Sequence, residues 1–131
     1  MIKLFITISV IMLIVDGIWL STMKSMYNET ITNIQGSPIT FNLKGAFISY
    51  LLIASGIYYF VLKDEVCKKN NYMTIIEKAF MFGLISYGIF NGTNLAILDN
   101  WNMKTSAIDT LWGAIMATIV SCLSYVVYNK I

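Results

Sequence analysis

The chain has 131 residues and a mean hydropathy of +0.69, with 57% hydrophobic and only 12% charged residues, against about 25% charged in a soluble domain. That balance excludes a soluble globular surface and intrinsic disorder alike, and the length allows a single domain. The net charge of +2 comes from nine lysines and seven acids, with no arginine and no histidine. This excludes a nucleic-acid footprint, a Ser-His-Asp triad, and histidine-ligated zinc or haem.

In chain order, Leu4 to Met23 is a long apolar run whose one charge is Asp16. A bilayer core of about 30 Å needs about 20 helical residues, so the run predicts a first spanning helix. Lys3 before it gives the look of a signal peptide. No small-x-small cleavage site follows, however, and the run continues through Trp19 and Leu20, so a retained anchor is expected. Lys24 to Lys44 is the longest connection and reads as a loop broken at Gly36-Ser37-Pro38. Gly45 to Leu62, free of charge, predicts the second span. The next connection, Lys63 to Thr74, carries Lys63-Asp64-Glu65 and Lys68-Lys69-Asn70-Asn71. Ala79 to Leu98 predicts the third span, and Asp99 to Thr105 links it to a fourth that opens at Asp109 and ends at Asn129. The fold class is therefore all-α: a polytopic four-transmembrane-helix bundle with short loops, one domain over 1–131, spans about 4–23, 45–62, 79–98 and 109–129. Runs this long without apolar-polar alternation argue against a β-barrel.

Lysine counts set the orientation. Lys3, Lys63, Lys68, Lys69, Lys78 and Lys130 fall on the side shared by both termini, and Lys24, Lys44 and Lys104 on the other. Both termini are expected in the cytoplasm. Trp19, Trp101 and Trp112 then lie at the outer end, and Tyr58, Tyr59, Tyr72, Tyr125 and Tyr128 at the inner end, as aromatic belts would. Cys67 in a cytoplasmic loop and Cys122 inside the fourth span are not expected to pair.

Depth is the informative coordinate for the polar residues. Asp16 lies about 6 Å below Leu20 at 1.5 Å per residue. Asn91 and Asn94 sit just before the end of the third span, and Asp109 just after the start of the fourth. Three helices thus bring acids and amides to one layer near the outer leaflet. Phase adds Trp19 to the face of Asp16 and Trp112 to that of Asp109, three residues on in each case. Tyr87, Asn91 and Asn94 follow one another at i, i+4 and i+7, with Thr93 beside them. Asp109, Gly113, Ala117 and Ser121 form a small-residue ridge, and Gly88 and Gly92 a second stripe, each suited to close helix approach. An aspartate at a membrane helix centre costs about 2.5–3.5 kcal/mol. The acids should therefore face each other, the amides or internal water, with Lys24 and Lys104 as candidate charge partners. The candidate binding cluster is Asp16, Trp19, Asn91, Thr93, Asn94, Asp109 and Trp112. A plainer reading stands beside it: hydrogen bonds that only fix helix register, about 0.6–2 kcal/mol each, tryptophans that only anchor in the belt, and an aspartate that favours a helix dipole. Tyr87 reads as core packing. Asn28-Glu29-Thr30 is a glycosylation sequon, but it lies close to the membrane.

The same residues carry a family resemblance. Asp16-Gly17-Ile18-Trp19-Leu20 with Tyr27 downstream, Phe90-Asn91-Gly92-Thr93-Asn94-Leu95-Ala96 with Trp101, and Asp109-Thr110-Leu111-Trp112-Gly113 occur in this order. The chain resembles the small four-helix membrane family catalogued as domain of unknown function 2177. That family's pattern has Asp-x-x-Trp-Leu in the first helix, Tyr-Asp-x-Thr-Asn in the third and Asp-x-x-Trp-Gly opening the fourth. The departure is Phe90-Asn91, where an amide replaces the third-helix carboxylate and the neighbouring ring loses its hydroxyl. The resemblance implies a fold and a shared polar site but no activity.

Three functions compete. The chain could bind or pass a small polar solute, a proton or a cation at the Asp/Asn cluster, whose all-oxygen donors suit a hard cation and not a soft metal. So small a chain would need a homo-oligomer for this. It could instead be a structural membrane component, of a viral or cellular envelope for instance, in which the cluster only locks the bundle. An intramembrane enzyme using two carboxylates has least support, since no activated nucleophile or metal-ligand spacing accompanies them. No cofactor is expected, and the bilayer is the expected partner, with a second copy and a small solute or ion as candidates and nucleic acid excluded. Abundant isoleucine, asparagine and lysine without arginine suit an AT-rich genome, viral or microbial.

Overall fold

A computed structural model describes residues 1–69 and 71–131; Asn70, in the lysine-containing loop, lies outside the described residues. The elements are helices: α1 (Ile2–Thr22), α2 (Lys24–Gln35), α3 (Leu43–Gly56), which continues as a π-helical stretch over Ile57–Leu62, α4 (Tyr72–Ile97) and α5 (Met103–Lys130). Four helical stretches, α1, α3 with its π extension, α4 and α5, are long and apolar enough to cross a membrane. They alternate in direction, which brings both termini to one end, where the Lys3 ammonium sits 5.7 Å over the Tyr128 ring.

The centre of the bundle is α5. On α1 the buried residues form a single stripe, Leu4, Ile8, Met12 and Asp16, one every fourth position. On α5 they wrap two faces, from Thr105 and Asp109 through Met116, Ala117, Val120 and Ser121 to Tyr125. Ile8, Met12, Ile57, Leu62, Ile75 and Met116 are fully enclosed and form an apolar core in the half nearer the termini. The outward faces carry Ile6, Leu13, Phe47, Leu52, Ile85 and Ile89, each more than half exposed. So much apolar surface would drive aggregation in water, and a lipid environment satisfies it.

Two helix starts are set by asparagine. The Asn42 side chain accepts from the Lys44 and Gly45 amides at 3.0 and 3.2 Å, and Asn102 accepts from Lys104 and Thr105 at 2.8 and 3.1 Å. Each satisfies amides that would otherwise lack partners at a helix N-terminus. The second cap begins α5 at Met103, six residues before the span expected from its apolar run.

The Lys24–Lys44 connection is not a plain loop, as its composition suggested, because α2 occupies its first half. A single-residue break at Met23 separates α2 from α1, and Gly36 ends it with φ 75°, its N–H bonded to the Thr32 carbonyl. Met26, Tyr27, Thr30, Ile31 and Ile34 lie on its more buried side, and Thr30 is buried against Thr105, hydroxyl to hydroxyl at 2.8 Å. The Asn28 sequon is therefore built into this helix: its threonine is buried, and its asparagine oxygen accepts from the Ile39 amide at 3.1 Å.

The tight α4–α5 crossing falls at Gly83 and Gly113, and not at the Gly88–Gly92 stripe. A Cβ on Gly83 would lie 2.1 Å from the Gly113 carbonyl oxygen, and one on Gly113 would lie 2.2 Å from the Tyr87 ring, whereas Gly92 faces open space. Phase explains the difference. Gly83, Tyr87 and Asn91 repeat every fourth residue along the face turned to α5, and Gly88 and Gly92 lie one residue round from it.

Beyond the π-helical stretch, Glu65 is 2% exposed and ties the following loop to α4. It accepts from the Lys78 ammonium at 2.7 Å, from Lys68 at 3.1 Å and from the Asn71 amide. The Lys78 bond, aided by Lys68, holds its carboxyl below the usual range against the opposing effect of burial. A carboxyl lowered in the folded state stabilises above its unfolded value, and that contribution is lost as pH falls through the folded one.

Gly83→Ala should cost about 1–3 kcal/mol, the usual penalty for forcing volume into a filled contact, because backbone and not a flexible side chain stands in the way. Gly92→Ala should leave stability unchanged or slightly raised. Thermal melts of the two variants in the same detergent test the contrast.

Candidate functional site

The polar site is built from one depth on every long helix. Asp16 lies six residues before Thr22, Asn91 six before Ile97, Asp109 six after Met103 and Tyr50 seven after Leu43. At 1.5 Å per residue these positions are about 9–11 Å inside the helix ends opposite the termini.

Each aspartate oxygen has its own donor. At Asp16, Oδ1 accepts from the Trp112 indole N–H at 3.0 Å and Oδ2 from the Tyr50 hydroxyl. At Asp109, Oδ1 accepts from the Tyr27 hydroxyl at 2.5 Å and Oδ2 from the Asn91 amide at 2.7 Å. Tyr27 in turn accepts from the Trp19 indole N–H at 2.9 Å. The halves meet where the Trp19 and Trp112 rings stack, centroids 4.3 Å apart and planes 4° from parallel. A continuous path thus runs from Tyr50 through Asp16, Trp112, Trp19, Tyr27 and Asp109 to Asn91, and it includes every helix. Both acids are nearly enclosed, Asp16 at 7% and Asp109 at 8% exposure.

Tyr27 lies on α2, outside the spanning segments. Burial first, and its bond to Asp109 second, raise its hydroxyl well above the ordinary phenol value, so it remains a protonated donor across the physiological range.

The structure brings together Asp16, Trp19, Asn91, Asp109 and Trp112. It does not bring in the other sequence candidates. Thr93 is exposed, since two residues on from Asn91 turns a side chain to the far face of α4. Asn94 is half-buried, and its side chain makes no hydrogen bond among the described residues. Lys24 and Lys104 are exposed and pair with neither aspartate. Their backbones open α2 and α5 at the bundle end, and neutral donors occupy the carboxylates instead. Tyr50 was missed, and Tyr27 entered only through the family motif. Tyr50 shares the depth of the acids, but a tyrosine in a span signals little by itself, and Tyr27 needed α2 to be read as a helix.

Asn91 is chemically pointed. It is 2% exposed, its Nδ2 donates both to Asp109 and to the Tyr87 carbonyl at 3.0 Å, and its Oδ1 has no partner among the described residues. A carboxylate in its place would set oxygen against oxygen at hydrogen-bond distance, requiring a proton or cation between them. The amide supplies that donor from the chain itself. Nearby, Trp101 packs edge-on against Phe90 at 6.0 Å, with its indole N–H unpartnered among the described residues.

Helices and polar layer together define a multi-pass integral membrane protein organised round an intramembrane acid–amide network. The chain belongs to the family described as "Predicted membrane protein (DUF2177)", whose model matches residues 1–126. No curated protein and no solved structure matches it.

Hydrogen bonds to charged groups contribute about 1.5–3 kcal/mol each in general and less in membranes. Tyr27→Phe should therefore lower stability by about 1–3 kcal/mol. Combined with Asp109→Asn it should lose less than the sum of the single changes, the signature of direct coupling. A double-mutant cycle by denaturant titration in micelles measures this, and additive losses would contradict the network.

Proposed function

We propose that the protein binds a proton or small hard cation at the Asp16–Asp109 layer and, as a homo-oligomer, passes it across the membrane. One observation carries the reading: among the described residues, two nearly enclosed carboxyl groups are served only by neutral donors, with no lysine on either. Intramembrane acids of this kind commonly mark ion or proton pathways. The site's surplus is of acceptors, the carboxylate lone pairs and the free Asn91 Oδ1, so a ligand must bring positive charge or a proton. Among the described residues no group of three His, Cys, Asp or Glu is assembled for a metal ion, which favours a proton or monovalent cation over a divalent one.

A second reading has its own support. All four carboxylate oxygens are already bonded, from α2, α3, α4 and α5, which is what a lock on helix register in a structural membrane component needs. Acid–base hydrolysis gains nothing here, because each carboxyl is engaged by its own partners.

Flux into liposomes separates the two. The first reading predicts ion or proton uptake by wild type that falls at least about tenfold in Asp16→Asn and Asp109→Asn while helicity is kept. Uptake absent from wild type, or unchanged in both variants, rejects it. Loss of thermal stability in the variants without any wild-type flux favours the lock.

The cytoplasmic placement of both termini, and so the outer-leaflet position of the acids, follows from the lysine asymmetry. Cys67 is an exposed native probe on the terminal side. A membrane-impermeant maleimide should label it only when the cytoplasmic face is open; labelling from outside intact cells would reverse the orientation.

A further inference from the structure

At the end holding both termini, the fold gathers basic and aromatic side chains that are far apart in sequence. The loop after α3 and the last turns of α5 form an open groove of about 690 Å³ lined by Lys68, Lys69, Tyr72, Tyr125, Tyr128 and Lys130. Its shape is fixed. Tyr72 and Tyr125 meet edge to face at 5.1 Å, and the Tyr125 hydroxyl donates to the Lys68 carbonyl at 2.6 Å, holding the loop against α5. Lys68 shares the buried Glu65 with Lys78. Lys69 and Lys130 are exposed and have no ion-pair partner among the described residues, and Lys3 brings a further ammonium over Tyr128. Val66 and Val126 add apolar wall, and Met73 and Val127 beside it are exposed apolar surface on α4 and α5.

We infer that this groove binds the headgroup of an anionic phospholipid, with Lys69 and Lys130 at its phosphate and its chains along the exposed apolar face. The charge is complementary, and basic pockets at the ends of membrane helices take such headgroups. The tyrosines and valines favour a lipid over free phosphate, which would gain only two flexible point charges and no bidentate or backbone donors. In sequence, Lys68-Lys69 alone is too short a basic run for this; the third and fourth lysines arrive through the helix packing. The site shares no residue with the Asp16–Asp109 layer and stands independently of the transport reading.

Native mass spectrometry of the full chain, released from detergent after equilibration with equimolar phosphatidylglycerol and phosphatidylcholine of identical chains, tests it. A lysine near a membrane surface is worth about fivefold in binding. Wild type should therefore retain phosphatidylglycerol about twenty-five-fold over phosphatidylcholine, Lys69→Ala and Lys130→Ala should each lose about fivefold, and the double variant should approach parity. Lys24→Ala/Lys104→Ala, at the opposite end, should keep the preference. Equal retention by wild type, an unchanged preference in the Lys69→Ala/Lys130→Ala variant, or its equal loss in the opposite-end control overturns the assignment. Displacement of phosphatidylglycerol by millimolar inorganic phosphate overturns the lipid as occupant.

Discussion

A carboxylate below the surface of a membrane needs a partner on every oxygen, and this chain meets that need with neutral donors. The consequence reaches well beyond two side chains. Asp16 draws on α3 and α5, Asp109 on α2 and α4, and the stacked tryptophans of α1 and α5 close the gap between them. Moving one helix by a turn, about 5.4 Å, would strand an acid, so the network fixes the register of the bundle. Lipid-facing apolar side chains cannot do this, because sliding one apolar face along another changes little when the solvent is also apolar.

The two ends of the molecule solve different problems. The end opposite the termini is polar inside, and α2 contributes Tyr27 to Asp109 and Thr30 to Thr105 there. The terminal half is packed with Ile8, Ile57, Leu62 and Ile75, and the buried acid Glu65 there is compensated by two lysines. Buried acids with and without cation partners thus occur in the same small chain. Where the backbone sits near the water interface, lysine is in reach; at the depth of Asp16 and Asp109, tyrosine, tryptophan and asparagine take its place. Close approach of α4 and α5 at Gly83 and Gly113 brings Asn91 and Asp109 within bonding distance.

Much of this was legible in the sequence. Four charge-poor runs define the spans, and counting residues from their ends sets Asp16, Asn91 and Asp109 at one depth. Phase then adds Trp19 and Trp112. What was not legible has physical reasons. Tyr50 is an amphipathic residue whose depth equals that of the acids, but a tyrosine in a span signals little by itself. Tyr27 sits in a polar connection whose helical period, from Met26 to Ile34, is short and weakly apolar. Lys24 and Lys104 are close to the acids in sequence, yet helix direction turns them to the outside. Thr93 shows the same effect at shorter range: adjacency along a helix is not adjacency in space. The fold also separates Gly83 from the more conspicuous Gly88–Gly92 pair, because only the former shares a face with Asn91.

Solid-state NMR of the protein in lipid bilayers, with labelled aspartate and tyrosine, tests the network most directly. Cross-peaks should link the Asp109 carboxyl carbon to the Tyr27 ring and the Asp16 carboxyl carbon to the Tyr50 ring, and the matching Tyr→Phe change, which removes the labelled ring, assigns each. Carboxyl carbons that instead show proximity to lysine ammonium groups, or to no tyrosine at all, would contradict a bundle held together by acids and neutral donors.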